Sequence, residues 1–293
     1  MSLKAIDHGR LELAKRVTIH RLRVMKERGE RIVMVTAYDY TQARIIDSTG
    51  IPVILVGDSL GNVVLGFEST IPVTVDDIVR HTAAVVRGAS FPLIVADMPF
   101  MSYHVDEKTS MYNAGRIIQE GGAQAVKIEG GLPVAPVARR LVDAGIAVMG
   151  HIGLTPQSVH QLGGYRIQGR ELESGNRLIS DALAIEDSGA FALVLELIPA
   201  ELAEKITERL HIPTIGIGAG SATDGQVQVL YDMLGLTPDF KPRHAGNYAE
   251  IGSLMREALE RYSEDVKSGL FPADSNAFHT DLKYESESEN LAR

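Results

Sequence analysis

The chain contains no cysteine among its 293 residues, so disulfide bonds and thiolate metal sites are excluded. Tryptophan is also absent, and no binding site in this chain can use an indole ring. No apolar run approaches the ~20 residues that a membrane-spanning helix needs. Residues 1–20 are charged and lack the apolar core of a secretory signal peptide. We therefore expect a cytoplasmic protein that has no membrane partner.

Basic residues are in the minority, with 29 Lys and Arg against 38 Asp and Glu and a formal net charge of −9. This balance disfavours binding to nucleic acid, and an anionic substrate would need local cations or a metal ion. Hydrophobic residues make up 45% of the chain, enough for a large core. Composition does not shift within residues 31–270. We predict one domain over residues 1–279 and a disordered polar tail over residues 280–293.

Apolar runs that end at a polar or charged side chain recur along the sequence. Continuous apolar runs are typical of parallel strands that are buried on both faces. They alternate with helical segments seven or eight times, which predicts a (β/α)8 TIM barrel preceded by an N-terminal helical extension. A doubly wound open sheet is the alternative. A barrel would collect at its carboxyl rim the side chains that follow these runs, namely Asp58, Ser59, Asp97, Lys127, Glu129, His151 and Glu196.

Three carboxylates, Asp58, Asp97 and Glu129, close the predicted second, third and fourth strands. Neighbouring strands lie ~4.8 Å apart, so these like charges would repel one another unless a cation neutralised them. A hard divalent cation would do so, and oxygen-only ligation favours Mg²⁺ over Zn²⁺. Any one of the three could equally cap a helix or pair with an arginine.

Four further side chains are candidates for substrate contacts or proton transfer. Lys127 lies two residues before Glu129, so both should point into the barrel, where carboxylates would keep the lysine protonated. That favours a fixed cation for an anionic substrate over a Schiff base. Glu196 ends an apolar run, and desolvation would raise its pKa towards that of a general base, although it could also cap a helix. Ser59 could bind a substrate oxygen or cap a helix, and His151 could support these groups or act directly.

Nine motifs, in order along the chain, resemble the ketopantoate hydroxymethyltransferase family, and the resemblance covers roughly residues 15–279. They are VGDS at 56–59, PVTV at 72–75, HTAA at 81–84, ADMPF at 96–100, VKIEG at 126–130, GHIGLTPQ at 150–157, GGY at 163–165, QGR at 168–170 and GIGAG at 216–220. The resemblance implies a (β/α)8 barrel that uses Mg²⁺ and 5,10-methylenetetrahydrofolate to convert 3-methyl-2-oxobutanoate into ketopantoate for pantothenate and coenzyme A synthesis. It also implies a homodecamer.

The resemblance assigns roles to individual residues of this chain. Asp58, Asp97 and Glu129 correspond to the metal shell, and Glu196 corresponds to the proton acceptor. The oxo-acid contacts correspond to Ser59, Asp97 and Lys127, while Asp58 is a further candidate for substrate binding and His151 receives no role from the resemblance.

Two other functions compete with this interpretation. One is another Mg²⁺-dependent 2-oxo-acid enzyme that breaks or rearranges C–C or P–C bonds, although such enzymes usually employ a lid cysteine, which this chain lacks. The other is a metabolite-binding barrel without catalysis.

Overall fold

The computed structural model describes residues 15–237 and 242–282. Its central feature is a closed barrel of eight parallel strands that pair in chain order, with β8 pairing back to β1. The strands are β1 (Ile32–Thr36), β2 (Val53–Val56), β3 (Leu93–Asp97), β4 (Ala125–Glu129), β5 (Ala147–Gly153), β6 (Ala192–Glu196), β7 (Thr214–Ile217) and β8 (Gly225–Gln228). The predicted (β/α)8 barrel is confirmed, and the open-sheet alternative is wrong because β8 closes on β1.

Helices connect the strands and surround them. They are α1 (Ile19–Glu27), α2 (Tyr40–Asp47), α3 (Leu60–Val63), α4 (Val75–Gly88), α5 (Glu107–Gln119), α6 (Ala135–Asp143), α7 (Leu172–Asp187), α8 (Ala200–Arg209), α9 (Leu230–Met233) and α10 (Ile251–Ser268). Helix α4 begins at a capping box: Asp77 N donates to Thr74 Oγ1, and Thr74 N donates to Asp77 Oδ2. The segment at 59–74, between β2 and α4, contains the short helix α3.

The barrel interior is apolar at its amino end. Alternate residues of each strand face the axis, for example Met34 of β1 and Val53 of β2, and they pack in one cluster with Leu22 and Met25 of α1. The other strand residues pack against the surrounding helices. Helix α1 thus covers the amino end of the barrel, where Lys26 forms a 2.8 Å ion pair with Asp224, and leaves the carboxyl end for a site.

Two further predictions concern membrane-spanning helices and the C-terminal tail. The described residues include no helix that is long and apolar enough to cross a membrane. The predicted tail at 280–293 lies mostly outside the described residues, which end at 282.

Candidate active site

The strand register brings the predicted side chains to one end of the barrel. Asp97 of β3 lies opposite Lys127 of β4, and Glu129 of β4 lies opposite His151 of β5. Asp58 follows β2 and joins the same group, because its backbone N–H donates to Asp97 Oδ2 at 2.9 Å. All five side chains are buried. We call these five residues the charged cluster.

Lys127 is the centre of the charged cluster. Its Nζ lies 3.0 Å from Asp97 Oδ1, 3.8 Å from Glu129 Oε1 and 3.1 Å from His151 Nδ1. Burial alone would lower the pKa of Lys127, but the carboxylates of Asp97, Glu129 and Asp58 outweigh it and raise that pKa above its usual value. This arrangement favours the ammonium form of Lys127, and its predicted role as a cation for an anionic substrate stays a prediction.

His151 connects the charged cluster to Glu196. Its Nδ1 lies 3.4 Å from Glu129 Oε1, and its Nε2 lies 3.1 Å from Glu196 Oε2. Burial and the Lys127 ammonium lower the pKa of His151, but the contacts with Glu129 and Glu196 raise it to about 9.

Gln157 and Tyr103 hold the carboxylates in place, although the sequence reasoning gave neither of them a role. Gln157 donates from its backbone N to Glu129 Oε2 at 3.0 Å and from Nε2 to Asp58 Oδ2 at 2.9 Å. The Tyr103 hydroxyl lies 2.9 Å from Gln157 Oε1, and it accepts from the Glu129 backbone N–H at 3.0 Å. Both side chains are buried and therefore rigid supports. Gln157 falls within the GHIGLTPQ motif, which was the available signal.

The carboxylates differ in their proton affinity. Burial and the charges of Asp97 and Glu129 raise the pKa of Asp58 well above its usual value. Burial also raises the pKa of Asp97, against the opposing effect of Lys127. For Glu129, burial is outweighed by the contacts with His151 and Lys127, so its pKa is lowered. Asp58 is therefore the carboxylate whose charge is least compensated.

A divalent cation fits this group of residues. Two buried oxygens, Asp97 Oδ1 and Glu129 Oε1, receive no hydrogen bond, since the Lys127 ion pairs fall outside hydrogen-bond geometry. Across the described ranges, no three His, Asp or Glu side chains are already arranged to hold a metal. Mg²⁺ commonly takes only one or two protein carboxylates and completes its shell with water and substrate, so this arrangement suits it. The predicted ligation by Asp58, Asp97 and Glu129 stays a prediction.

Ser59 and Glu196 flank the charged cluster and are less buried than it. Ser59 precedes α3 but makes no side-chain cap to that helix; its Oγ lies 2.9 Å from the Tyr38 hydroxyl. Glu196 ends β6 and faces His151 with its side chain 14% exposed. Helix capping therefore explains neither residue, and both remain candidates for substrate contact.

Solved structures with the same fold include phosphonopyruvate hydrolase and 2,3-dimethylmalate lyase. Phosphonopyruvate hydrolase matches with a TM-score of 0.59 at 11% identity, covering 90% of this chain and 92% of that one. 2,3-Dimethylmalate lyase, a member of the PEP mutase/isocitrate lyase superfamily, matches with a TM-score of 0.56 at 16% identity, covering 89% of this chain and 91% of that one. At such low identity these matches support the fold alone.

Close sequence relatives identify the family. The protein from Chloroflexus aurantiacus named 3-methyl-2-oxobutanoate hydroxymethyltransferase is 58% identical over 91% of this chain and 94% of its own length. The protein of the same name from Dehalococcoides mccartyi is 55% identical over 92% of this chain and 96% of its own. A family profile described as ketopantoate hydroxymethyltransferase matches residues 16–274. The chain is therefore a transferase that belongs to the ketopantoate hydroxymethyltransferase family.

Proposed function

We propose that this enzyme makes ketopantoate by Mg²⁺-assisted enolisation of 3-methyl-2-oxobutanoate, followed by transfer of a one-carbon unit from 5,10-methylenetetrahydrofolate. The observation that carries the proposal is the Lys127-centred charged cluster, which Glu196 joins through His151. A site that removes a proton next to a ketone needs positive charge near the oxygen and a base near the carbon. The charged cluster and Glu196 supply these two elements from neighbouring strands.

Asp58 and Asp97 would hold the metal, with Glu129 close enough to contribute directly or through water. When bound, Mg²⁺ supplies Lewis-acid stabilisation of the negative charge that develops on the substrate. The buried ammonium of Lys127 adds a second fixed positive charge, and its position does not depend on solvent. Ser59 Oγ stands beside Asp58 in the chain and would donate to an oxygen of the oxo acid.

Glu196 would accept the proton from C3 of the oxo acid. It is the carboxylate with the most access to solvent among those around His151, which suits a group that exchanges protons. His151 Nε2, at 3.1 Å, holds the Glu196 carboxylate in position, so His151 is a positioning residue. The C3 carbanion equivalent then forms a bond to the folate's methylene carbon. Before this bond forms, water would add to the methylene bridge, supply the hydroxyl oxygen and give its two protons to the two folate nitrogens as both C–N bonds break, so that the carbon is transferred at the oxidation level of formaldehyde. The C3 proton ends on the new hydroxyl.

The first test is proton exchange at C3 of 3-methyl-2-oxobutanoate in D₂O, followed by NMR without folate. We expect exchange with Mg²⁺ and little without it. The variant Glu196→Gln should lose exchange but keep oxo-acid binding by calorimetry, whereas Glu201→Gln, an exposed acid on α8, should behave as wild type. Exchange retained in Glu196→Gln would exclude Glu196 as the base.

Two further results would contradict other parts of the proposal. Metal-independent exchange would exclude the role of Mg²⁺. Absence of exchange in the wild type, even with a folate analogue present, would exclude this oxo acid. The cytoplasmic location, the homodecamer and the lack of nucleic-acid or membrane partners stay predictions.

A further inference from the structure

A cavity lies outside the charged cluster, in the loop between β5 and α7. It has a volume of about 460 Å³ and is lined by residues 166–171 and Ser174. The loop follows the carboxyl end of β5, so the cavity opens on the same face of the barrel as the charged cluster.

The loop is attached directly to the strand end that carries Glu196. Leu154 N donates to the Glu196 carbonyl at 2.8 Å, and Gln168 N donates to the Leu197 carbonyl at 2.9 Å. Leu197 itself has φ of 45°, a left-handed conformation that leucine seldom adopts. These bonds fix Gln168, which lines the cavity, beside the residue that follows the proposed base. A ligand held in the cavity would therefore lie near the carboxyl end of β6, the strand that Glu196 ends.

The cavity carries a net positive charge. Arg166 and Arg170 both line it, and in the part of the chain that the structure describes neither guanidinium has a carboxylate within 4.0 Å. Glu171 is the acidic residue of the lining, which leaves one positive charge in excess. The amino end of α7, with Ser174 in its first turn, adds partial positive charge. The cavity is suited to a carboxylate, whereas the charged cluster, with its three buried carboxylates, would repel one that arrives without a metal.

We infer that Arg166 and Arg170 bind the carboxylates of the folate's glutamate tail and so position the one-carbon donor over Glu196. This inference rests on the proposed function, because it presumes that folate is the donor. A planar guanidinium can donate two parallel hydrogen bonds to one carboxylate, whereas a lysine ammonium cannot. The oxo acid and the tail thus use two separate cationic sites, Lys127 inside the barrel and the arginines on its rim.

The test combines two variants with two donors. The variants are Arg166→Gln and Arg170→Gln, and the donors are 5,10-methylenetetrahydrofolate and the tail-less 5,10-methylenetetrahydropteroate. We expect each variant to raise the KM for the folate about fivefold and to leave the KM for the pteroate unchanged. High salt should raise the wild-type KM for the folate and should affect the variants less. Arg177→Gln is the matched control, because Arg177 is exposed on α7, outside the cavity, and pairs with Glu173.

The same proteins are assayed for C3 exchange without folate. This assay distinguishes failure of the arginine site from failure of the proposed function. Normal exchange with an unchanged folate KM would overturn the arginine site and leave the proposed function intact. An equal rise in KM for both donors would also overturn it, since the arginines would then be acting on loop structure. Loss of exchange in the wild type would instead overturn the proposed function.

Discussion

Replacing Asp58 by asparagine should stabilise the metal-free protein while removing its response to Mg²⁺. Asp58 is 4% exposed, and burial together with Asp97 and Glu129 raises its pKa well above the usual value. For an acid with a raised folded-state pKa, stability is greatest below the unfolded pKa near ~3.9 and is lost as pH rises through the folded pKa. Ionising Asp58 in the folded protein therefore costs stability at any pH above its unfolded pKa. Asparagine keeps the shape and can still accept from Gln157.

The gain should be about 1–3 kcal/mol, which is the size of the desolvation penalty for a buried polar group that its neighbours compensate incompletely. For a chain of this length, about 1 kcal/mol corresponds to about 2 °C in Tm, so the expected rise is about 2–6 °C. Calorimetry in EDTA measures the Tm of the metal-free protein, and calorimetry with Mg²⁺ measures how far the metal raises that Tm. Wild type should gain Tm with Mg²⁺, and Asp58→Asn should gain little. Asp106→Asn, which changes an exposed cap of α5, is the control. A lower Tm for Asp58→Asn in EDTA would show that the Asp58 charge is well compensated and would refute the reasoning.

Two other substitutions test how the rim is positioned. Gly153→Ala should lower kcat at least tenfold and Tm by several degrees, because a Cβ there would lie 2.2 Å from the Glu196 carbonyl oxygen at φ of 95°. Gly145→Ala is its control, because Gly145 has a similar φ of 87° but open space around it. We expect this variant to lose Tm but not kcat. Equal losses of kcat in the two variants would contradict the interpretation that Gly153→Ala displaces Glu196. His151→Gln should reduce kcat about 10–100-fold with little change in oxo-acid KM and should shift the pH profile of kcat, as expected for a residue that acts through Glu196 and Lys127. An unchanged pH profile would argue for a merely structural histidine.

The barrel and its charged rim were predictable because each strand carries its own signal. The apolar run at 93–97, for example, ends in Asp97, and the spacing of Lys127 and Glu129 fixes both to one face of β4. Parallel pairing of consecutive strands then brings those residues together without further information, as the register of Asp97 with Lys127 shows. The sequence pattern therefore contains both the fold and the approximate composition of the site.

Contacts between distant segments were not predictable in the same way. Gln157 joins Asp58 to Glu129 across 99 and 28 positions, and its place in the GHIGLTPQ motif marks the residue without indicating either partner. The packing of α1 over the amino end of the barrel was also not predictable, because the helical spacing around Leu22 predicts an apolar face but not the surface that this face contacts. The partial exposure of Glu196 depends on the open rim, which the apolar run before it does not reveal.

The charged cluster also contributes to the register of the sheet. In β4, Ala125, Lys127 and Glu129 face the barrel interior, while Val126 and Ile128 pack against the helices. A slip of one residue would turn Lys127 and Glu129 into the apolar layer between sheet and helices, away from Asp97 and His151. Burying two unpaired charges costs far more than the few hydrogen bonds at stake in the pairing itself, so the alternative register is strongly disfavoured. The residues that carry the proposed chemistry thus help to specify the fold, and the neighbouring strands must supply their compensating charges for β4 to be stable at all.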